Sequence, residues 1–163
     1  MVDIVSNATP LIAFAKIGQL PLIQDVVERL IIPEAVAAEI SAYNSKLSGA
    51  IDLSSESWIL VDQLKSDERL NLLLPTLDRG EAAVIALALE RKADLVLIDE
   101  LTGRKVAESL RLNISGSIGI LIRAKQAGKI KAVKPFMEAM QEAGIYYSDR
   151  FTAAVLKYVG EPL

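Results

Sequence analysis

The stretch that most constrains the fold is Leu95-Val96-Leu97-Ile98-Asp99-Glu100. Four consecutive large apolar residues, with Ala93-Asp94 before them and a polar helix start after, predict a short strand buried on both faces. That strand then delivers two carboxylates side by side at its C-terminal end. In open α/β sheets, ligands bind in the crevice outside the carboxyl ends of the strands. Two acids at such a place are expensive to bury unless something positive, such as a metal ion, lies against them.

The remainder of the chain supplies the sheet that this strand needs. Residues 2–6, 30–32 and 59–61 predict three more short strands, and Ile114 begins a fifth. Between them the pattern turns helical. Thr9 can cap a helix and Pro10 suits its first turn, so a helix is predicted to about Ile17, with Gly18 as its stop. A second is predicted near Pro21, a third from Pro33-Glu34 to about Ile40, and a partial one within 62–77 until Pro75 breaks it. The helix opened by Asp78-Arg79-Gly80-Glu81 is apolar all round as far as Leu89, so it should be buried. Helices over 101–110, 118–125, 135–143 and 149–159 complete the chain, and 41–58, rich in Ser, Asn and Gly, is its least regular part. Strands alternating with helices imply right-handed βαβ units. With 163 residues, no repeat and no linker, the expectation is one α/β domain over 1–163, a parallel central sheet with helices on both faces.

Composition decides which chemistry that crevice could host. The chain has neither Cys nor His, which removes thiol nucleophiles, Ser-His-Asp triads, zinc fingers and His-ligated zinc together. Any metal must be held by oxygen, which favours Mg²⁺ or Mn²⁺ over Zn²⁺. Hydrophobic residues make up 52%, yet no apolar run approaches the length of a membrane span, so no membrane association is expected. The N-terminus lacks the form of a signal peptide, and with no Cys a cytoplasmic location is expected. Mean hydropathy of +0.33 in so small a domain suggests apolar area left over for a homodimer. Net charge is −3, but residues 101–134 carry eight Lys or Arg against Glu108 alone. That segment offers either two solvated helix faces or a surface that attracts phosphates, with Arg104, Lys105 and Lys125 as candidates to meet a nucleic-acid backbone.

Oxygen-bearing side chains recur at matching places. Asn7 follows the first strand, Asp99 and Glu100 follow the 95–98 strand, and Ser117 follows the Ile114 strand. Glu81 lies in the first turn of the buried helix, where the dipole favours a negative charge. Each has a plainer reading. Asp78 and Glu81 have capping-box spacing, Asp99 could cap the 101–110 helix, Asn7 could form an Asx-turn, and Ser117 is a common helix-start residue. Taken together they could form a cup of oxygens around a divalent ion able to activate water at a phosphodiester. No GxxxxGK[ST] or GxGxxG motif is present, so nucleotide cradles are unsupported.

Ser6-Asn7-Ala8-Thr9-Pro10-Leu11-Ile12, Gly80-Glu81-Ala82, Leu97-Ile98-Asp99-Glu100 and Gly116-Ser117-Ile118-Gly119 resemble, in order and spacing, the signature blocks of PIN-domain proteins. The likeness is to a small prokaryotic branch akin to the toxin ribonucleases of toxin–antitoxin pairs. It implies a three-layer PIN-like fold and a Mg²⁺- or Mn²⁺-dependent ribonuclease acting on RNA, with an antitoxin protein as a further partner. On that resemblance Glu81 and Asp99 fall on acidic positions and Glu100 accompanies Asp99. Ser117 falls where such proteins place a polar residue near the metal, and Asn7 stands where Asp is usual. The expected metal ligands are Asn7, Glu81 and Asp99. Because Asn7 removes one negative charge, the alternative is a PIN-like module that binds RNA or protein without cutting. A phosphatase using Asp99 as nucleophile is a more distant third.

Overall fold

The computed structural model describes residues 2–43 and 46–163. The sheet is assembled from β1 (Ile4–Ser6), β2 (Leu30–Pro33), β3 (Ile59–Asp62), β4 (Leu95–Leu97) and β5 (Ile114–Ser115). All four pairings are parallel and the spatial order is β3-β2-β1-β4-β5. The chain therefore begins in the middle of the sheet, builds outward through β2 to β3, and crosses back to lay β4 on the other side of β1. The reversal between β1 and β4 is the topological switch point, the place where such sheets open a crevice at their carboxyl edge. Register fixes what faces it. Ile4, Val5 and Ser6 lie opposite Leu95, Val96 and Leu97, so the residues that follow the two strands emerge together.

The helices among the described residues are α1 (Ala8–Lys16), α2 (Leu20–Val27), α3 (Glu34–Ala42), α4 (Glu68–Leu73), α5 (Arg79–Arg91), α6 (Leu101–Ser109), α7 (Ser117–Gln126), α8 (Lys134–Glu142) and α9 (Asp149–Val159), with a single 3-10 turn at Leu53–Ser55. With this strand order, right-handed crossovers outward from β1 and then back through β4 to β5 set α1 and α2 on one face and α5 and α6 on the other. Helix α7 returns to the side of α1 and α2, while α5 packs on β1, β2 and β4. These are the three layers expected. Strands β1, β2 and β4 are buried along their whole length, as continuous apolar runs in a parallel sheet should be. Helix α5 is buried from Gly80 to Ala88. Each Leu, Ile or Val fully buried in this core stabilises the fold by roughly 1.5–3 kcal/mol.

Two helix starts differ from expectation. Helix α1 begins at Ala8, so its N-cap position is Asn7 rather than Thr9, and the Asn7 side chain makes no capping bond. Thr9 is exposed within the first turn. Helix α6 takes its cap from Glu100, whose side chain accepts from the Gly103 N–H, and not from Asp99. The α1 start lies two residues before the expected cap and the α6 start one residue after it.

Candidate active site

Asn7 leaves β1 directly into the switch-point crevice. Its backbone N–H donates to Leu97 O at 3.0 Å, extending the β1–β4 ladder by one rung. The residue is only 6% exposed, yet its Oδ1 has no hydrogen-bond partner. An Asx-turn would have occupied that oxygen. Instead it lies against the start of α5, 3.4 Å from the position a Cβ on Gly80 would take. A buried carbonyl oxygen without a partner costs on the order of 1–3 kcal/mol, so the fold holds it there against a penalty.

Glu81 arrives at the same crevice from the first turn of α5. Asp78 caps that helix, accepting from the Glu81 N–H at 2.8 Å. This is half of a capping box. The returning bond, from the Asp78 N–H to the Glu81 carboxylate, is not made among the described residues. The side chain is 6% exposed, and its Oε2 is unpartnered like Asn7 Oδ1. Burial, followed by the nearby carboxylates of Asp78 and Glu100, pushes Glu81 up to about 8. Glu100 goes the other way. The Gly103 N–H that it caps, at 3.0 Å, is the main reason that its carboxyl is held below the ordinary range.

Asp99 is fixed from the far side of β4. The Ser117 N–H donates to its Oδ1 at 2.7 Å and the Ser117 hydroxyl to its Oδ2 at 2.6 Å. Ser117, 2% exposed at the start of α7, thus orients the carboxylate with both of its donors. Arg104 anchors beside it, donating from Nη1 to Ile98 O at 2.9 Å. The carboxylates that crowd Glu81 are those of Asp78 and Glu100, whereas Asp99 is engaged by Ser117. The three basic candidates separate. Arg104 borders the acids, Lys105 is exposed on α6, and Lys125 is spent on structure, donating to Glu161 at 2.8 Å and to Val159 O at 2.9 Å. Asp3 belongs to the opposite end of β1, where Arg29 and Arg91 pair with it.

One group at the crevice escaped the sequence reading. Glu39, on α3, reaches the Gly80 backbone and so the neighbourhood of Asn7; burial and then the Asp78 charge raise its pKa. An acid on the outer side of a helix that buries Val36 and Ile40 on its other side gives no local signal of this. Burial, with the Asp99 charge adding to it, pushes the Tyr147 hydroxyl up to about 12.

Glycine makes room for the acids. A Cβ on Gly103 would meet Glu81 Oε2 at 2.5 Å and Ile98 Cγ2 at 3.1 Å, one on Gly116 would collide with Asp99 Oδ1, and one on Gly80 with Glu39. No three carboxylates converge closely enough to form a ready-made metal cage among the described residues. The donors nonetheless fit a hard divalent ion. They are all oxygens, two of them are buried and unpartnered, and burial followed by the nearby Asp78 and Glu100 carboxylates raises the Glu81 pKa, a penalty that a bound cation would relieve.

A family model described as a PIN domain matches residues 3–161. The comparison with curated proteins finds no match.

Proposed function

The chain belongs to the PIN-domain family, whose members are typically nucleases, and from that premise we propose that it is a metal-dependent endoribonuclease. The observation that carries the reading is the pair of buried oxygens without partners, Asn7 Oδ1 and Glu81 Oε2, at the carboxyl edge of a switch point. PIN domains generally use divalent metal ions, and an all-oxygen donor set favours Mg²⁺ or Mn²⁺. Asn7, Glu81 and Asp99 would hold the ion, with Glu39 and Glu100 at the rim. When bound, such an ion supplies an activated water and offsets charge that builds on the phosphodiester.

The side chains have their own tasks. Ser117 pins both oxygens of Asp99, so that carboxylate cannot rotate away as the substrate enters. Burial, followed by the neighbouring carboxylates, raises Glu81 to about 8, so this side chain would release its proton in holding a cation. Arg104 commits one N–H to Ile98 O and keeps others for a non-bridging phosphate oxygen, a geometry that guanidinium serves well. Lys105 adds positive charge on the exposed side of the same helix.

One observation favours a second reading. Asn7 contributes a neutral oxygen where a carboxylate would bind an ion more tightly, which suits a module that holds RNA or a protein without cutting. Cleavage of a mixed-sequence RNA with Mg²⁺ and with Mn²⁺, run beside Asp99→Asn and Glu81→Gln, separates the two. The nuclease reading expects metal-dependent cleavage that both variants lose. RNA retention without cleavage by the unaltered chain would leave the binding module standing.

A further inference from the structure

A cavity of about 150 Å³ opens beside the acid crevice, where the starts of α3 and α5 meet α4 and the chain that leads into it. Its place follows from strand register and chain order. Val5 lies opposite Ile31, so Pro33 is level with Asn7, each two residues further along its strand. Neighbouring strands lie roughly 5 Å apart, and Pro33 lines the cavity. On the opposite wall stands Arg79, which runs directly into Gly80 and Glu81. An added Cβ at Gly80 would lie 3.4 Å from Asn7 Oδ1. The cavity and the crevice therefore share a wall, built from the ends of β1 and β2 and the first turn of α5. Arg79 and Ala83 are one turn apart and face the cavity together,, while Glu81 Oε2 lies on the side of Gly103.

The chemistry of this cavity differs from that of the crevice. Its floor is apolar and made of Ala35, Leu64, Leu70 and Ala83, of which Leu70 and Ala83 are buried. Its rim carries Glu34, Asp67 and Arg79, all three exposed. Asp67 occupies the N-cap position of α4 yet makes no capping bond. No ion pair or side-chain hydrogen bond among the described residues engages any of the three. Two acceptors and one cation thus ring a small apolar space, and none of them is spent on the fold.

We propose that this cavity is a base-specificity pocket that takes a cytosine of the RNA strand next to the phosphate held at the crevice. The inference rests on the reading of that crevice as an RNA-cleaving site. Size argues for one ring, since a cavity of about 150 Å³ accepts a molecule of benzene, and a purine exceeds that. Charge argues for a base that donates. The cytosine N4 amino group donates to Asp or Glu, whereas uracil presents its O4 acceptor at the same place. Two carboxylates facing that acceptor leave it unpaired and repelled, which rejects uracil more than it favours cytosine. Arg79 suits the phosphate of the same nucleotide, because its guanidinium has every N–H free. A basic side chain of a protein would also meet Glu34 and Asp67, but Arg79 on the same rim opposes it.

The experiment measures equilibrium binding of fluorescein-labelled hexauridine by anisotropy, without added metal so that it is not cut. One uridine at a time is replaced by cytidine or by adenosine, and each RNA is bound to the wild type, to Glu34→Ala/Asp67→Ala and to Arg79→Ala. A cytosine pocket predicts that cytidine at one position, and no other, tightens wild-type binding by about tenfold. Adenosine at that position, with an amino group but two rings, should gain less. The double variant should bind the cytidine and uridine strands alike. Removing two negative charges raises affinity for any RNA, so the ratio between the two strands is the readout. Arg79→Ala should keep the ratio, weaken both strands, and lower the salt slope by about one. The altered side chains are exposed, and melting curves check that each variant is folded.

A wild type that binds RNA without preferring cytidine at any position overturns the base pocket and leaves the nuclease reading intact. So does a preference that survives in the double variant, or an adenosine gain as large as that of cytidine. A wild-type chain that neither binds nor cuts RNA overturns both readings.

Discussion

Asn7 and Glu81 are costly residues in the metal-free chain, and their costs are of different kinds. Asn7 buries an amide oxygen with no donor, and Glu81 buries a carboxyl among other acids until it holds a proton. Asn7→Asp separates a ligand from a turn-former. Asp can turn the chain as Asn does, so a purely structural role predicts unchanged Mn²⁺ affinity. A charge at a ligand position predicts tighter binding, because a unit charge at about 4 Å interacts by ~4 kcal/mol at an effective dielectric of 20, before desolvation is subtracted. Titration calorimetry of Mn²⁺ should show a gain of about tenfold or more; equal affinities would place Asn7 outside the ion's contact. Glu81→Gln tests the other cost. Removing a carboxyl that repels its neighbours should leave the metal-free chain as stable as wild type or more so, while Mn²⁺ affinity falls. A large loss of metal-free stability would instead assign Glu81 to capping α5.

At the scale of elements, α6 carries the clearest division between fold and site. Gly103 in its first turn lies 2.5 Å, measured from an added Cβ, from Glu81 Oε2. Alanine is the better helix former by up to about 1 kcal/mol, and the atom it would displace is the end of a flexible side chain. Gly103→Ala should therefore melt at or above the wild-type temperature and yet bind Mn²⁺ more weakly, because Glu81 must move. A melting temperature several degrees lower would show that the close approach is a packing requirement of α6 itself. The sequence made α6 readable but not its cap. Asp99 and Glu100 are adjacent acids, both suited to the task, and only the Ser117 donors across β4 and β5 decide that Asp99 is taken elsewhere. The strands and the buried α5 are legible because apolar runs in parallel sheets carry their own signal; the strand order that brings the ends of β1 and β4 together is not, because burial alone does not set which strands are neighbours. Glu39 is not legible either, since an acid on the outer side of a helix that buries Val36 and Ile40 is ordinary until α3 is docked against Gly80. The Lys125 partnership is hidden for a similar reason. A lysine near a helix end suits a phosphate or a C-terminal carboxylate equally, and Glu161 is more than thirty residues away in sequence.

The molecule as a whole stores its charge unevenly, and that fixes how its stability should respond to pH. Glu161, tied to Lys125 and to the Val133 and Lys134 N–H groups, has a lowered pKa because those bonds outweigh its burial; Glu100 is lowered by its cap to Gly103. For such groups the unfolded chain binds protons first as pH falls, so their contribution is present above the ordinary carboxylate range and lost below it. Glu81 has the opposite sign. Between its ordinary value of 4.5 and about 8 the folded chain retains a proton that the unfolded chain has released, so stability declines as pH rises through that window. Glu39 pushes in the same direction. The metal-free chain should accordingly be most stable near the ordinary carboxylate range, well below neutrality, and lose melting temperature steadily toward pH 8. A Mn²⁺ ion held by Glu81 would require the carboxylate, so loading would expel that proton and become easier as pH climbs. Its stabilising effect through mass action should then be larger at about pH 8 than at about pH 6. Thermal melts at three pH values, with and without Mn²⁺, for the wild type and Glu81→Gln, test both halves at once. In Glu81→Gln the alkaline decline should flatten and most of the Mn²⁺ effect should disappear with it. A decline that persists unchanged in this variant would mean that the proton held at neutral pH is not on Glu81, and that the crevice is less acidic than its geometry implies.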